Sequence, residues 1–179
     1  MGSLKFILQL LFLLSFFTTT PIYTKEITVG INTNSYPPYY INNKTGVTGF
    51  SLDLVQVLAS ELGYTLNYKP YPWTRINQYL ESGKVDMVLL YLMTEERKKF
   101  VHYATQPYIN ETYRFFSKNQ KFINFSDDFG SIIDMPVGVV RGYSYGNEFD
   151  RTNFKFKYEA GSEIQLLKML LKNRVTLIL

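Results

Sequence analysis

The period of apolar and polar positions changes several times along this chain, and each change marks an element. Residues 26–31, EITVGI, alternate and are rich in β-branched side chains, which predicts a strand. A polar loop over 32–43 follows, holding Tyr36-Pro37-Pro38-Tyr39-Tyr40, and Asn42-Asn43-Lys44-Thr45-Gly46 reads as a turn. Over 50–62 the period becomes helical, with Leu54, Val55, Leu58 and Leu62 expected on the buried face. Gly63 stands where a helix commonly ends. Residues 64–68 predict a strand, and 73–80 a helix with Trp73, Ile76 and Leu80 on one side. The run over 85–90 is almost continuously apolar, as a strand covered on both faces should be.

After Pro107-Tyr108 the pattern restarts. Residues 113–117 read as extended, 137–140 as a second buried strand, and a short helical piece follows Gly142. A strand is predicted over 154–158, a helix over 161–173 with Ile164, Leu167 and Leu171 on one side, and a last strand over 175–179. Strands alternating with helices predict α/β layers with a largely parallel sheet. Two such units in series suggest two lobes, with the crossing near 111–116. In open parallel sheets, ligands bind beyond the carboxyl ends of the strands. The Tyr36 loop and the turn at 91–97 are therefore expected on one rim. A buried strand at the very end would leave the second unit incomplete, so the sequence reads as truncated.

Composition narrows the function. The N-terminus carries Lys5, then an apolar run over 6–17, then a polar stretch with Pro21. That is the layout of a secretory signal peptide, expected over 1–24, and the run is too short for an ordinary membrane span. An uncleaved anchor is the alternative reading, because Ile22-Tyr23-Thr24 fits a cleavage site poorly. There is no cysteine, so no disulfide can staple the fold and no lipoprotein cysteine can anchor it. The net charge of +4 is spread out, without the basic stripe expected of a nucleic-acid reader. No cofactor or metal is expected. The chain has 15 tyrosines and 14 phenylalanines, which can fill cores but can also line a cleft that grips a small molecule.

One residue sits awkwardly. Thr94-Glu95-Glu96-Arg97 reads as a helix start with Thr94 as its cap. Glutamates suit the positive end of a helix, whereas Arg97 does not. A helix N-terminus with a guanidinium fork is a good carboxylate site. The alternative is that Arg97 lies outward and pairs with a glutamate.

Three patterns recur in order: Gly46-x-x-Gly49-Phe50-Ser51-Leu52-Asp53-Leu54, Ser82-Gly83-Lys84-Val85-Asp86, and Thr94-x-x-Arg97 leading to Tyr103 and Pro107-Tyr108. Together they resemble the family 3 extracellular solute-binding proteins, the periplasmic receptors that feed amino-acid ABC importers. The resemblance runs from about Ile27 to the end and is clearest in the first half. It implies a periplasmic-binding-protein-like fold, with two α/β lobes around a central cleft. Lobe 1 would span 25–112, and lobe 2, incomplete here, 113–179. It further implies that Arg97 clamps a ligand carboxylate. Tyr36, Trp73, Thr94 and Tyr91 would line the cleft, and Ser144, within 142–145, would offer a hydroxyl donor from lobe 2. Leu90-Tyr91-Leu92 departs from the small polar residues usual before the Thr94 turn, which makes the pocket more apolar. The family's ammonium-binding acid would fall beyond Leu179.

The expectation is an exported, monomeric binder of a small carboxylate-bearing solute, located in the periplasm or outside the cell. It would hand that solute to ABC-transporter membrane subunits. A ligand-sensing domain of a larger receptor is the main alternative. An enzyme on the same fold, of transglycosylase or dehydratase type, has less support, since His102 is the only histidine and no nucleophile–base pair stands out.

Overall fold

In the computed structural model, residues 25–118 and 129–179 are described. The expected signal peptide at 1–24 and the polar Asp127-Asp128 lie outside them.

Besides a two-stranded hairpin, two larger sheets form among the described residues, and the same topology builds both. In the first, β1 (Lys25–Asn32) is the central strand, parallel to β4 (Tyr64–Tyr71) on one side and to β5 (Met87–Val88) on the other. The helices α1 (Phe50–Glu61) and α2 (Trp73–Glu81) make the crossovers. In the second, β7 (Pro136–Val140) is central between β8 (Phe156–Ala160) and β9 (Leu177–Ile178), all parallel. Here α3 (Asn147–Arg151) and α4 (Glu163–Leu171) connect the strands. A short β6 (Phe116–Ser117) adds an antiparallel edge on β9. The fold is thus α/β in two lobes, as the sequence pattern predicts.

The central strands are buried because helices cover them. Val29 and Ile31 of β1, and Val137, Val139 and Val140 of β7, are almost inaccessible. Val29 and Ile31 cluster with Leu52, Leu89 and Tyr40 in lobe 1. Lobe 2 gathers Ile132, Phe149, Phe154 and Leu177 around β7. Ile76, fully buried on α2, lies beside β1, where a Cβ at Gly30 would touch it at 3.4 Å.

Four expectations change. The predicted loop over 32–43 ends in a strand: β2 (Ile41–Asn43) pairs antiparallel with β3 (Gly46–Thr48). The Asn43 Oδ1 accepts from the Thr45 amide and hydroxyl and so closes the hairpin turn. The apolar run over 85–90 pairs only at Met87–Val88, because Leu90 turns the chain at a φ of 55°. Two helices, α1 and α4, turn a different face inward from the one predicted. On α1, Ser51, Leu52 and Ala59 are buried, while Leu58 and Leu62 are exposed, Leu62 at 72%. On α4, Leu166 and Leu170 are buried, while Ile164, Leu167 and Leu171 are exposed. These helices are apolar on more than one side, so periodicity alone does not choose the side that meets the sheet.

The Tyr36 loop is fixed to the start of α1. The Phe50 and Ser51 amides donate to the carbonyls of Pro38 and Tyr39 at 3.1 and 3.0 Å. Gly49 permits this closeness, since a Cβ there would lie 2.5 Å from the Tyr39 carbonyl oxygen.

Candidate functional site

The carboxyl ends of β1 and β5 and the loop after β7 meet in a cleft with about 60 Å³ of open space. Tyr36, Trp73, Arg97 and Ser144, all singled out in the sequence, line it. Thr94 and Tyr91 do not line it; both act on Arg97 instead.

Arg97 is 9% exposed. The expected helix shrinks to a single 3-10 turn over Arg97–Lys99. Its cap position is Glu96 and not Thr94, although the Thr94 Oγ1 accepts from the Arg97 amide at 3.2 Å. So short a turn offers no helix dipole to an anion, and the site's positive charge comes from the guanidinium. Its Nη1 donates to the Leu92 carbonyl at 2.9 Å, and its Nη2 to the Gly142 carbonyl of lobe 2 at 3.3 Å. The Tyr91 ring lies beneath it at 4.0 Å, a cation–π support. The outward reading fails: the glutamates beside it pair with Lys98 and Lys99. Among the described residues no carboxylate lies within ion-pair distance of Arg97.

Trp73 opens α2, and Pro72 sets the strand-to-helix corner. Its ring packs against Tyr91 and Tyr143, and its Nε1 donates to the Gly142 carbonyl at 2.9 Å. Asn77 Nδ2 reaches the same oxygen at 3.5 Å. Gly142 has a φ of 78°, and a Cβ there would meet Thr74 and Trp73 at 3.2 and 3.3 Å. Lobe 2 thus touches lobe 1 through backbone at a position only glycine fills well. Two buried polar atoms around this point have no partner, Asn77 Oδ1 and Tyr91 Oη. Such orphans are uncommon and mark polar chemistry waiting to be met.

Ser144 faces the cleft, but its hydroxyl is engaged, donating to Asp150 Oδ2. It therefore presents lone pairs and not a free proton.

Tyr40, Glu111 and Tyr113, which sequence reasoning did not single out, also line the cleft, as does Tyr143 from the 142–145 stretch expected to face it. The tyrosine cluster at 36–40 was a signal for Tyr40. For Glu111 the only signals were its place at the expected crossing between lobes and in Asn110-Glu111-Thr112, neither of which points to a cleft. Tyr143 Oη donates to Glu163 Oε1 at 3.0 Å, and Asn32 Nδ2 donates to the same hydroxyl at 3.3 Å. Tyr113 Oη donates to Glu111 Oε2 at 3.4 Å. Burial, then the charge of nearby Glu111, pushes the Tyr36 hydroxyl up to about 12. Burial and Glu163 likewise raise Tyr40 and Tyr143. All these hydroxyls stay protonated at neutral pH and act as donors.

Comparisons with known proteins agree with this architecture. A family model described as "Bacterial extracellular solute-binding proteins, family 3" matches residues 27–177. The L-cystine-binding protein TcyJ of Escherichia coli (strain K12) is 31% identical over 114 residues, which are 62% of this chain and 42% of that protein. A "Probable histidine-binding protein" of Neisseria gonorrhoeae is 27% identical over 121 residues, 67% of this chain and 44% of that protein. This chain thus spans under half the length of these relatives. Among solved structures, an ancestral arginine-binding protein bound to glutamine superposes with a TM-score of 0.68 at 24% identity, over 86% of this chain and 68% of that one. At that identity the likeness speaks for the fold.

Proposed function

This chain belongs to the bacterial extracellular solute-binding proteins, family 3, and on that footing we propose that it captures a small solute through a carboxylate held by Arg97. One observation carries this reading: Arg97 is a buried cation on the wall of a cleft, held by neutral carbonyls and an aromatic face without a carboxylate among the described residues. A buried charge needs a partner of opposite sign. A ligand carboxylate can supply two charge-assisted hydrogen bonds to the fork. Trp73, Tyr36 and Tyr143 would enclose the rest of the solute, and Ser144 would face it from lobe 2.

The names of the relatives support an amino acid or a close relative as the solute. The wider role is part of the same proposal: export by the signal peptide at 1–24, action as a monomer in the periplasm or outside the cell, delivery to ABC-transporter membrane subunits, and no catalysis.

The test is calorimetric titration of the protein with a panel of amino acids. Each charged hydrogen bond contributes about 1.5–3 kcal/mol, so Arg97→Ala should weaken binding by about 10²–10⁴-fold. Arg97→Lys, which keeps the buried cation and loses the fork, should weaken it at least tenfold. Unchanged affinity in both variants would sink the reading.

A further inference from the structure

Among the described residues, Arg97 and Glu111 are the charged groups lining the cleft, one of each sign, which suits a solute that carries both a carboxylate and a cation. Five other lining residues are aromatic: Tyr36, Tyr40, Trp73, Tyr113 and Tyr143. Trp73 and Tyr143 meet at 5.5 Å and 70°, and Tyr36 and Tyr40 at 6.3 Å and 52°, so the rings are angled walls and not a stack. Aromatic faces attract cations, more strongly where water is excluded. Free hydrogen-bond acceptors are scarce on these walls. The Leu92 carbonyl already accepts from Arg97 Nη1 and from Tyr103 Oη. The Gly142 carbonyl, on the same guanidinium, is taken by Trp73, Asn77 and Arg97. Tyr143 Oη accepts from Asn32 and donates to Glu163, and the Ser144 hydroxyl donates to Asp150. The orphan acceptor Asn77 Oδ1 is not among the lining groups. Glu111 remains, with its Oε2 accepting from Tyr113. A primary ammonium brings three N–H donors, and a buried donor left without a partner is costly. A quaternary ammonium carries the same charge and no donor.

We propose that the cleft binds betaines, amino acids whose nitrogen is fully methylated, with the quaternary ammonium held between the rings of Trp73, Tyr36 and Tyr143. The carboxylate lies on Arg97, and Glu111 balances the methylated cation by charge without needing a hydrogen bond from it. The open space of about 60 Å³ holds only about four to six water-sized groups, which suits a compact head group better than a long side chain. This solute class rests on the carboxylate reading of Arg97 and narrows it.

Glycine betaine, glycine and tert-butylacetate, titrated calorimetrically into the whole protein, test the proposal. The last has the shape of glycine betaine with carbon in place of the charged nitrogen. Glycine betaine should bind about tenfold tighter, or more, than either of the others. The ratio of glycine betaine to tert-butylacetate affinity should fall about fivefold or more in Trp73→Leu and in Tyr143→Leu. It should hold in Tyr143→Phe, which keeps the ring and loses only the hydroxyl. Both solutes meet the same variant, so a general loosening of the fold cancels from the ratio. Glycine betaine bound no tighter than glycine or tert-butylacetate in the parent, or a ratio unchanged in both leucine variants, overturns the proposal. The carboxylate reading survives those outcomes where Arg97→Ala still weakens the binding of amino acids. A ratio lost equally in Tyr143→Phe also overturns the proposal, since the hydroxyl and not the ring would then hold the cation. Binding indifferent to Arg97→Ala overturns both.

Discussion

Lobe 1 and lobe 2 repeat one topology, a central strand flanked on both sides by strands that follow it in sequence, yet they bring different chemistry to the cleft. Lobe 1 supplies side chains from rigid positions: Trp73 at the first residue of α2 and Arg97 buried over the Tyr91 ring. Lobe 2 supplies a loop, 141–146, whose contact with lobe 1 is a backbone carbonyl and a tyrosine hydroxyl. A backbone carbonyl offers the same atom whatever the side chain, so on the proposed reading recognition would rest mainly on lobe 1, with lobe 2 as its cover. Topology alone does not assign a lobe its task; the loop beyond each central strand does.

The comparison can be broken first by stability. Ile76 and Leu166 are buried core residues of lobes 1 and 2 respectively. Truncating either to alanine should cost its own lobe about 2–5 kcal/mol. The hydrogen bonds between the lobes are few, so each lobe should unfold as its own unit. In urea, Trp73 fluorescence should therefore shift its midpoint for Ile76→Ala and hold it for Leu166→Ala. Equal shifts would join the lobes in one cooperative unit.

A smaller effect tests the contact itself. Gly142→Ala places a methyl against Thr74 and Trp73 in a left-handed conformation, whereas Gly146, at a φ of 101°, has nothing within 4 Å of a Cβ. Both variants carry backbone strain of about 1 kcal/mol. Only Gly142→Ala should part the lobes, seen as a red shift of Trp73 emission and a larger radius in X-ray scattering. The same response from Gly146→Ala would show that strain, and not the close approach, is responsible.

The smallest effect is in alkaline solution. Tyr36 of lobe 1 and Tyr145 of lobe 2 are both pushed up from the ordinary tyrosine value of 10.0 to about 12, chiefly by burial. The folded state keeps these protons where the unfolded chain has lost them, so stability should fall as pH rises from 10 towards 12. Glu111 contributes at Tyr36 but is not among the causes at Tyr145. In Glu111→Gln, ultraviolet absorbance should show Tyr36 ionising earlier, with Tyr145 unmoved. An unchanged titration would mean that burial alone holds Tyr36.

The order of strands and helices was readable because each element carries its own periodicity and its own stop, such as Gly63 and Gly83. The helix faces were not. On α1 the buried side is set by Ser51 and Ala59, small enough to let the helix approach the sheet, and small residues leave no trace in an apolar pattern. The buried hydroxyl of Ser51 is matched by Tyr108, a residue 57 positions away. In the cleft, Arg97 stood out because it departs from its local setting, whereas Trp73, Tyr36 and the 142–145 stretch were reached through the family resemblance. Glu111 is ordinary in sequence and becomes a site residue only when the two lobes meet.

The three donors on the Gly142 carbonyl have a consequence for how strongly any solute is held. A carboxylate seated on the Arg97 fork would share the guanidinium with the Leu92 and Gly142 carbonyls, which engage two of its five N–H groups. Where the solute needs the N–H now given to Gly142, the protein is its own competitor, present at a fixed effective concentration that dilution cannot lower, and affinity is reduced to the share of arrangements in which that oxygen has let go. A cleft built this way can tune capture towards release by substitutions in the 141–146 loop that never touch the solute.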